Sequence, residues 1–162
     1  MVDIKQSLDI DEPRLAAILR DFLEERVPFN KLLGLQIVSL DPQAPVLRFD
    51  MRPDLVGNSL LGVLHGGVIA TALDVSCGVS VVLSVMEKHI HKGESFEAQL
   101  ERISRIGTVD LRIDYLQPGL GKWFLAKAEV MRSGNRVVAV RSELRNDSAE
   151  LIALAVGAFT IG

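Results

Sequence analysis

The sequence is short of the residues that several protein classes require. Its only cysteine, Cys77, has no partner in the chain for a disulfide bond. Aromatic residues make up 5% of the chain and the formal net charge is −3, so neither base stacking nor a basic surface favours a nucleic-acid partner. The sequence also has no repeat, no low-complexity segment and no apolar leader. We therefore expect a cytoplasmic protein that does not bind nucleic acid.

The composition is that of one folded domain. The chain of 162 residues is 48% hydrophobic and 24% charged, which is typical of a globular domain with a substantial core. One stretch, Val68 to Met86, carries a single charged residue, Asp74, and approaches the length of a membrane span. An aspartate near the centre of a span costs about 2.5–3.5 kcal/mol on insertion scales. We therefore predict a helix buried inside the domain and no membrane contact.

The spacing of apolar residues predicts the order of the elements. Helical spacing predicts an amphipathic helix that begins at Asp11 and Pro13, a short turn over residues 28–33, and a long apolar helix from Gly66 or Gly67 to about Glu87. Residues 52–65 are interpreted as a loop, and residues 88–105 show no clear pattern.

Alternation and turn residues predict six strands. One of them, Val109 to Tyr115, places Asp110, Arg112 and Asp114 on a wet face. The other predicted strands are residues 35–40, 46–51, 123–132, 137–145 and 151–160. A six-stranded antiparallel sheet needs one face covered, and the uncharged helix suits that place. We predict an α+β hotdog fold in residues 34–162, with a helical N-terminal appendage in residues 1–33.

Two segments carry a resemblance to a known family. Residues 64–74, LHGGVIATALD, resemble the His-Gly-Gly and aspartate signature of hotdog thioesterases of the phenylacetate-pathway (PaaI) type. Residues 108–119, TVDLRIDYLQPG, resemble the first strand after the helix in that family. The resemblance implies an acyl-CoA thioesterase that acts on a CoA or carrier-protein thioester, with sites at a dimer interface. It implies no cofactor.

The start of the long helix is the first candidate site. A helix N-terminus presents unpaired N–H groups and the positive end of the helix dipole, and glycine lets a ligand approach the backbone. Gly66 and Gly67 are therefore candidates for an oxyanion hole that stabilises charge on a thioester oxygen. The alternative is a glycine pair required only for tight packing between loop and helix.

Asp74 is the second candidate. It follows Gly67 by seven residues, which places it on the same helix face about 10.5 Å along the axis. One helix cannot bring both to a single carbonyl, so we expect the acid to come from a second copy of the chain in a homodimer or a dimer of dimers. Asp74 then serves as nucleophile or as general base; the alternative is a buried acid with a structural partner.

The remaining candidates surround these two. His65 either begins the helix or contacts the thioester, and Asn58 stands one residue farther from it than in the family pattern. No polar residue after the helix is a clear partner for a catalytic water. Cys77 is interpreted as a core residue, and His89 and His91 as loop residues, so we expect no metal site. Further substrate-binding candidates are Thr71 on the helix face and Arg132 and Arg136, which face CoA phosphates or simply lie on a wet strand face.

The leading hypothesis is an acyl-CoA thioesterase. A non-catalytic acyl-CoA-binding module on the same fold is the main alternative, and Asp74 separates the two, because binding alone does not require an acid at the thioester. A hydratase or dehydratase would need a catalytic histidine and acid arranged on the acyl chain, and the sequence does not show that pattern.

Overall fold

The computed structural model describes residues 13–90 and 96–161. Its helices are α1 (Pro13–Arg20), α2 (Pro28–Leu33), α3 (Gly66–Ile90) and α4 (Phe96–Ile103). Its strands are β1 (Gln36–Ser39), β2 (Val46–Asp50), β3 (Val56–Asn58), β4 (Val63–Leu64), β5 (Ile106–Tyr115), β6 (Trp123–Ser133), β7 (Val137–Asn146) and β8 (Leu151–Ile161).

Six of the strands form one antiparallel sheet in the order β1-β2-β6-β7-β8-β5. The short loops between β6, β7 and β8 make the meander that the turn residues predict. Phe49 of β2 stacks on Phe124 of β6 at a ring-centroid distance of 5.2 Å, and both are buried. The predicted α+β hotdog fold is confirmed: the sheet packs around one long helix.

Helix α3 fills the concave side of that sheet. Residues 66–88 have a mean hydropathy of 2.0, which would suit a membrane span by length and composition, and 56% of the apolar window is buried inside the domain. Leu73, Cys77 and Leu83 are fully enclosed. The helix runs to Ile90, slightly beyond the predicted end near Glu87. It therefore packs against the sheet as the core helix of the domain, and its first turn is exposed.

Two stretches contain more structure than the sequence suggested. Residues 52–65, interpreted as a loop, hold a 3-10 turn at Pro53–Leu55 and the two-stranded hairpin β3–β4. Residues 88–105 hold the end of α3 and helix α4. Strands of two and three residues are too short to show alternation, which explains why β3 and β4 were missed.

The N-terminal segment covers one edge of the sheet. After α1 the chain continues as a π-helical stretch, Asp21–Arg26, and the predicted helix start at Asp11 lies outside the described residues. Glu24 accepts a hydrogen bond from the Ile37 N–H at 2.7 Å, and Arg20 donates to the Ile37 carbonyl. Leu19 and Leu23 pack against the core. The side chains thus bond both backbone groups of Ile37 in edge strand β1, while the division of the chain at residue 33 stays a prediction.

The opposite edge is strand β5, which pairs only with β8 within the described chain. Its register shifts between Thr108 and Asp110, so Val109 forms a β-bulge and is 62% exposed. Leu111 and Ile113 pack toward the core as the alternation predicts. This edge is long and uncovered, which is uncommon in a stable monomer because open edges invite pairing.

Candidate functional site

The first turn of α3 presents one open backbone donor. The Gly67 N–H donates to Nδ1 of His65 at 2.8 Å. The Gly66 N–H has no acceptor among the described residues, and Gly66 carries the first helical position. An imidazole that accepts at Nδ1 carries its proton on Nε2, which leaves a second donor beside the glycine. The structure therefore distinguishes the two predicted glycines: the N–H of Gly66 is open and that of Gly67 is engaged.

The hairpin β3–β4 and its neighbours hold His65 in place. Its N–H donates to the Leu55 carbonyl at 2.8 Å, and its carbonyl accepts from the third and fourth residues that follow it. Gly57 of β3 lies directly against it: a Cβ added at Gly57 would be 2.7 Å from the His65 Cα and 3.0 Å from its ring carbon Cδ2. Glycine is required at position 57 because the strand passes closer to His65 than any side chain would allow.

Asp74 meets a partner that the sequence did not reveal. The Thr108 hydroxyl donates to Oδ1 of Asp74 at 2.9 Å. Strict alternation back from Tyr115 would put Thr108 on the wet face, beside Asp110. The bulge at Val109 reverses that alternation and turns Thr108 toward α3. The carboxylate is thus held from the start of β5 by a residue that was not among the predicted site residues.

Tyr115 closes the other end of the same strand. Its hydroxyl donates to the Gly66 carbonyl at 3.2 Å, and its ring lies 3.5 Å from the place a Gly66 Cβ would take. Strand β5 therefore touches α3 at two functional points: Tyr115 at the glycine turn and Thr108 at Asp74. Along the helix these points are about 12 Å apart, so a single chain does not bring Gly66 and its own Asp74 together.

The other predicted site residues take varied positions. Asn58 ends strand β3, and its Oδ1 accepts from the Leu60 N–H at 3.0 Å, so its side chain shapes the β3–β4 loop. Thr71 lies one turn into α3, and its hydroxyl donates to the Gly67 carbonyl at 2.9 Å. Thr71 thus approaches the glycine turn, while Asn58 reaches it only through the hairpin.

The four arginines around the β6–β7 turn fall into two kinds. Arg141 pairs with Glu129 at 2.7 Å and Arg145 with Glu143 at 3.0 Å, and the hydrogen bond from Arg145 lowers the pKa of that glutamate. Arg132 and Arg136 are exposed and have no ion pair within the described part of the chain. The two predicted phosphate ligands are thus the two whose guanidinium groups remain open.

Cys77 has the properties of a core residue. It is fully buried, and burial raises its pKa to about 12, with the negative charge of Asp74 adding to the shift and a hydrogen bond with Ser142 opposing it. A thiol held in its protonated form is a poor nucleophile. Among the described residues no group of three His, Cys, Asp or Glu side chains is placed to hold a metal ion. His91 lies outside the described residues, and the His89 side chain is not described.

Comparison with known proteins identifies the family of this chain. The family model described as the thioesterase superfamily matches residues 61–153. The chain is 41% identical over 136 residues to the medium/long-chain acyl-CoA thioesterase YigI of Salmonella typhimurium, covering 84% of this chain and 86% of the relative. The Escherichia coli YigI protein is 40% identical over the same length.

Solved structures give the same result. A thioesterase-superfamily protein from Shewanella oneidensis superposes with a TM-score of 0.86 at 35% identity, covering 93% of this chain and 99% of the other. The phenylacetic acid degradation protein PaaI of Thermus thermophilus, at 24% identity and a TM-score of 0.63, covers 82% of this chain and 97% of its own and shares the fold. On this fold, this motif and these relatives, the chain belongs to the thioesterase superfamily.

Proposed function

We propose that this protein is an acyl-CoA thioesterase for medium or long acyl chains. The observation that carries the proposal is the pair of functional points on α3: an open Gly66 N–H beside His65, and an aspartate held by Thr108. The YigI relatives act on medium- and long-chain acyl-CoA by their names. Leu60 and Leu61 are exposed in the β3–β4 loop that leads to the helix, and they offer an apolar surface that suits such a chain.

In the proposed reaction the thioester carbonyl oxygen accepts hydrogen bonds from the Gly66 N–H and from Nε2 of His65. Oxyanion donors of this kind are each worth about 2.7–4 kcal/mol of transition-state stabilisation in a well-studied protease. Asp74 acts as general base: it takes a proton from water while the water oxygen bonds to the carbonyl carbon. The C–S bond then breaks and the proton passes to the departing thiolate, which gives a carboxylic acid and free CoA.

Asp74 reaches that carbonyl from the partner subunit. Near the start of edge strand β5, Thr108 bonds Asp74, and at its end Tyr115 bonds Gly66. If two copies of β5 pair antiparallel about a two-fold axis near Leu111, the start of one strand meets the end of the other. The Asp74 of each copy then approaches the glycine turn of its mate, which completes two equivalent sites.

The charges on β5 favour one register. With Leu111 on the axis, Arg112 of one copy lies opposite Asp110 of the other, twice over. With Arg112 on the axis, two like charges would meet, which is unfavourable for directly opposite residues. The exposed arginines Arg132 and Arg136 are proposed to contact the CoA phosphates, for which guanidinium groups are well suited.

A free-thiol release assay against short-, medium- and long-chain acyl-CoA tests the activity. Asp74→Asn keeps the shape and removes the base, so we expect kcat to fall roughly 10²–10⁴-fold. Asp41→Asn is the matched control, because Asp41 only caps a surface turn through Gln43. A wild-type protein that binds acyl-CoA without cleaving it would identify a binding module and refute the proposal, and an Asp74→Asn variant with full rate would refute the role of Asp74 as the base.

A mixing experiment tests the composite site. Gly66→Pro removes the open N–H, and proline is well accepted at the first position of a helix. Gly66→Ala is its control, because a Cβ there meets only ordinary contact with Tyr115 and the N–H remains. Mixed and refolded, Gly66→Pro and Asp74→Asn should recover about one quarter of wild-type activity, since half of the dimers are mixed and each has one intact site. No recovery would place both groups of each site in one subunit.

A further inference from the structure

The peptide between Gly66 and Gly67 is flanked on both sides by residues without a Cβ. Glycine has the widest range of backbone conformations, so a Gly-Gly link at the exposed first turn of a helix is the part of α3 most able to rotate. A catalytic donor, however, must keep a fixed aim to stabilise developing charge. Something outside the glycines has to hold this link.

Two side chains hold it in this structure, one at each end of the peptide. His65 Nδ1 accepts from the Gly67 N–H at 2.8 Å, and the Tyr115 hydroxyl donates to the Gly66 carbonyl at 3.2 Å. The Tyr115 ring also lies alongside Gly66. The preceding peptide is fixed separately, because the His65 carbonyl accepts from both Val68 and Ile69. The helix therefore directs the open N–H of Gly66, while Tyr115 directs the Gly67 N–H that holds the His65 ring.

We propose that Tyr115 is a positioning residue: it fixes the Gly66–Gly67 peptide, whose N–H holds the His65 ring, and so preorganises the oxyanion donor Nε2 of His65. The proposal rests on the proposed function. It assigns Tyr115 a role that its place at the end of an edge strand does not by itself suggest. The hydroxyl bonds a backbone carbonyl in the first turn of a 25-residue helix, so helix formation does not depend on it. Its effect falls on the transition state, where the aim of the donor matters, and not on substrate binding.

The test separates hydroxyl, ring and fold. Tyr115→Phe keeps the ring and loses the hydrogen bond; we expect kcat to fall about fivefold with KM changed less than twofold, which corresponds to the net worth of one hydrogen bond, about 1 kcal/mol. Ser104→Ala is the control, since it removes a comparable bond from hydroxyl to backbone carbonyl in another turn, at 2.7 Å. We expect this control to keep wild-type kcat.

A second readout does not depend on catalysis. In ¹⁵N-glycine-labelled protein, which carries 13 glycines, the relaxation order parameter of the Gly67 amide should fall in Tyr115→Phe and stay unchanged in Ser104→Ala. An unchanged Gly67 amide in Tyr115→Phe overturns the positioning role even if the wild type cleaves no thioester. A rise in KM with kcat unchanged also overturns it, because Tyr115 would then act in substrate binding. An inactive wild type with a mobile Gly67 in Tyr115→Phe refutes the thioesterase proposal alone.

Discussion

Replacing Gly57 by alanine should damage catalysis by displacing His65, although no proposed catalytic residue is itself replaced. The new Cβ would lie 2.7 Å from the His65 Cα, 3.0 Å from its Cβ and 3.0 Å from Cδ2. The Cα is a backbone atom and the Cβ is bonded directly to it, so neither can move away as the far end of a flexible side chain could. Strand β3 and His65 must separate by several tenths of an ångström.

The magnitude follows from the kind of strain. Overpacking by one methyl group costs about 1–3 kcal/mol, which for a domain of this size lowers Tm by about 2–4 °C per kcal/mol. Displacing His65 also misaligns its Nε2 donor and the hydrogen bond that its Nδ1 accepts from the Gly67 N–H. Because misplacement by about 1 Å can cost 10²-fold in rate, we expect kcat of Gly57→Ala to fall between tenfold and a hundredfold.

Gly62 offers a control in the same loop. It has a φ of +64° with open space around its Cα, so Gly62→Ala strains the backbone without pushing on His65. We expect a stability loss of about 1–2 kcal/mol and kcat within twofold of wild type. Thermal unfolding at one fixed protein concentration and thiol release on the same samples measure both. Equal losses of kcat in the two variants, or none in Gly57→Ala, would refute the close approach of β3 to His65 as the cause.

Three further predictions use other parts of the structure. Thr108→Val should lower kcat about tenfold while Thr108→Ser keeps it, because only serine can donate to Asp74; equal rates would show that the bond has no catalytic role. Burial raises the pKa of Cys77 to about 12 from 9.0, so the folded state keeps its proton longer than the unfolded state does. The stability that the buried, protonated Cys77 thiol contributes is full below pH 9 and is lost as the pH rises toward 12. The urea midpoint should therefore fall more between pH 8 and pH 10.5 for wild type than for Cys77→Ala. Asp110→Arg should weaken dimers measured by sedimentation, and adding Arg112→Asp should restore them; recovery absent from the double variant would refute the proposed register.

The parts of the site that the sequence predicts are those within one continuous helix. His65, the glycines and Asp74 lie in ten consecutive residues, so helical geometry alone gives their spacing and predicts that one copy cannot bring them to a single carbonyl. Apolar spacing and alternation also predicted the core helix and the six strands of the main sheet, but not the order of the strands in that sheet. What periodicity cannot give is which groups along that helix bond each other. The capture of the Gly67 N–H by His65 depends on the ring rotamer, and it was found only in the structure.

The residues that the sequence missed act through long-range contacts. Thr108 lies 34 positions from Asp74, and a bulge at Val109 reverses the face on which its side chain stands. Alternation carries no sign of one extra residue, so a strand read as regular assigns Thr108 to solvent. Tyr115 alternates with the wet-face residues of β5, but its hydrogen-bond partner, the Gly66 carbonyl, lies 49 positions away. Its ring contacts Gly66 while the residue stays 55% exposed, so neither alternation nor burial points to that partner.

The two edges of the sheet differ in a way that connects fold to mechanism. At β1 the side chains of Arg20 and Glu24 occupy both backbone groups of Ile37, which blocks pairing with another strand at that point. Strand β5 has no such cover within the described chain, although it is the edge that holds the proposed catalytic contacts. A chain that protected both edges would leave Asp74 and Gly66 about 12 Å apart on their own helix with nothing to bring the reacting groups together. The open edge is therefore the expected consequence of a site divided between two subunits, and blocking it with a proline at an outward-facing N–H of β5 should abolish activity together with dimerisation.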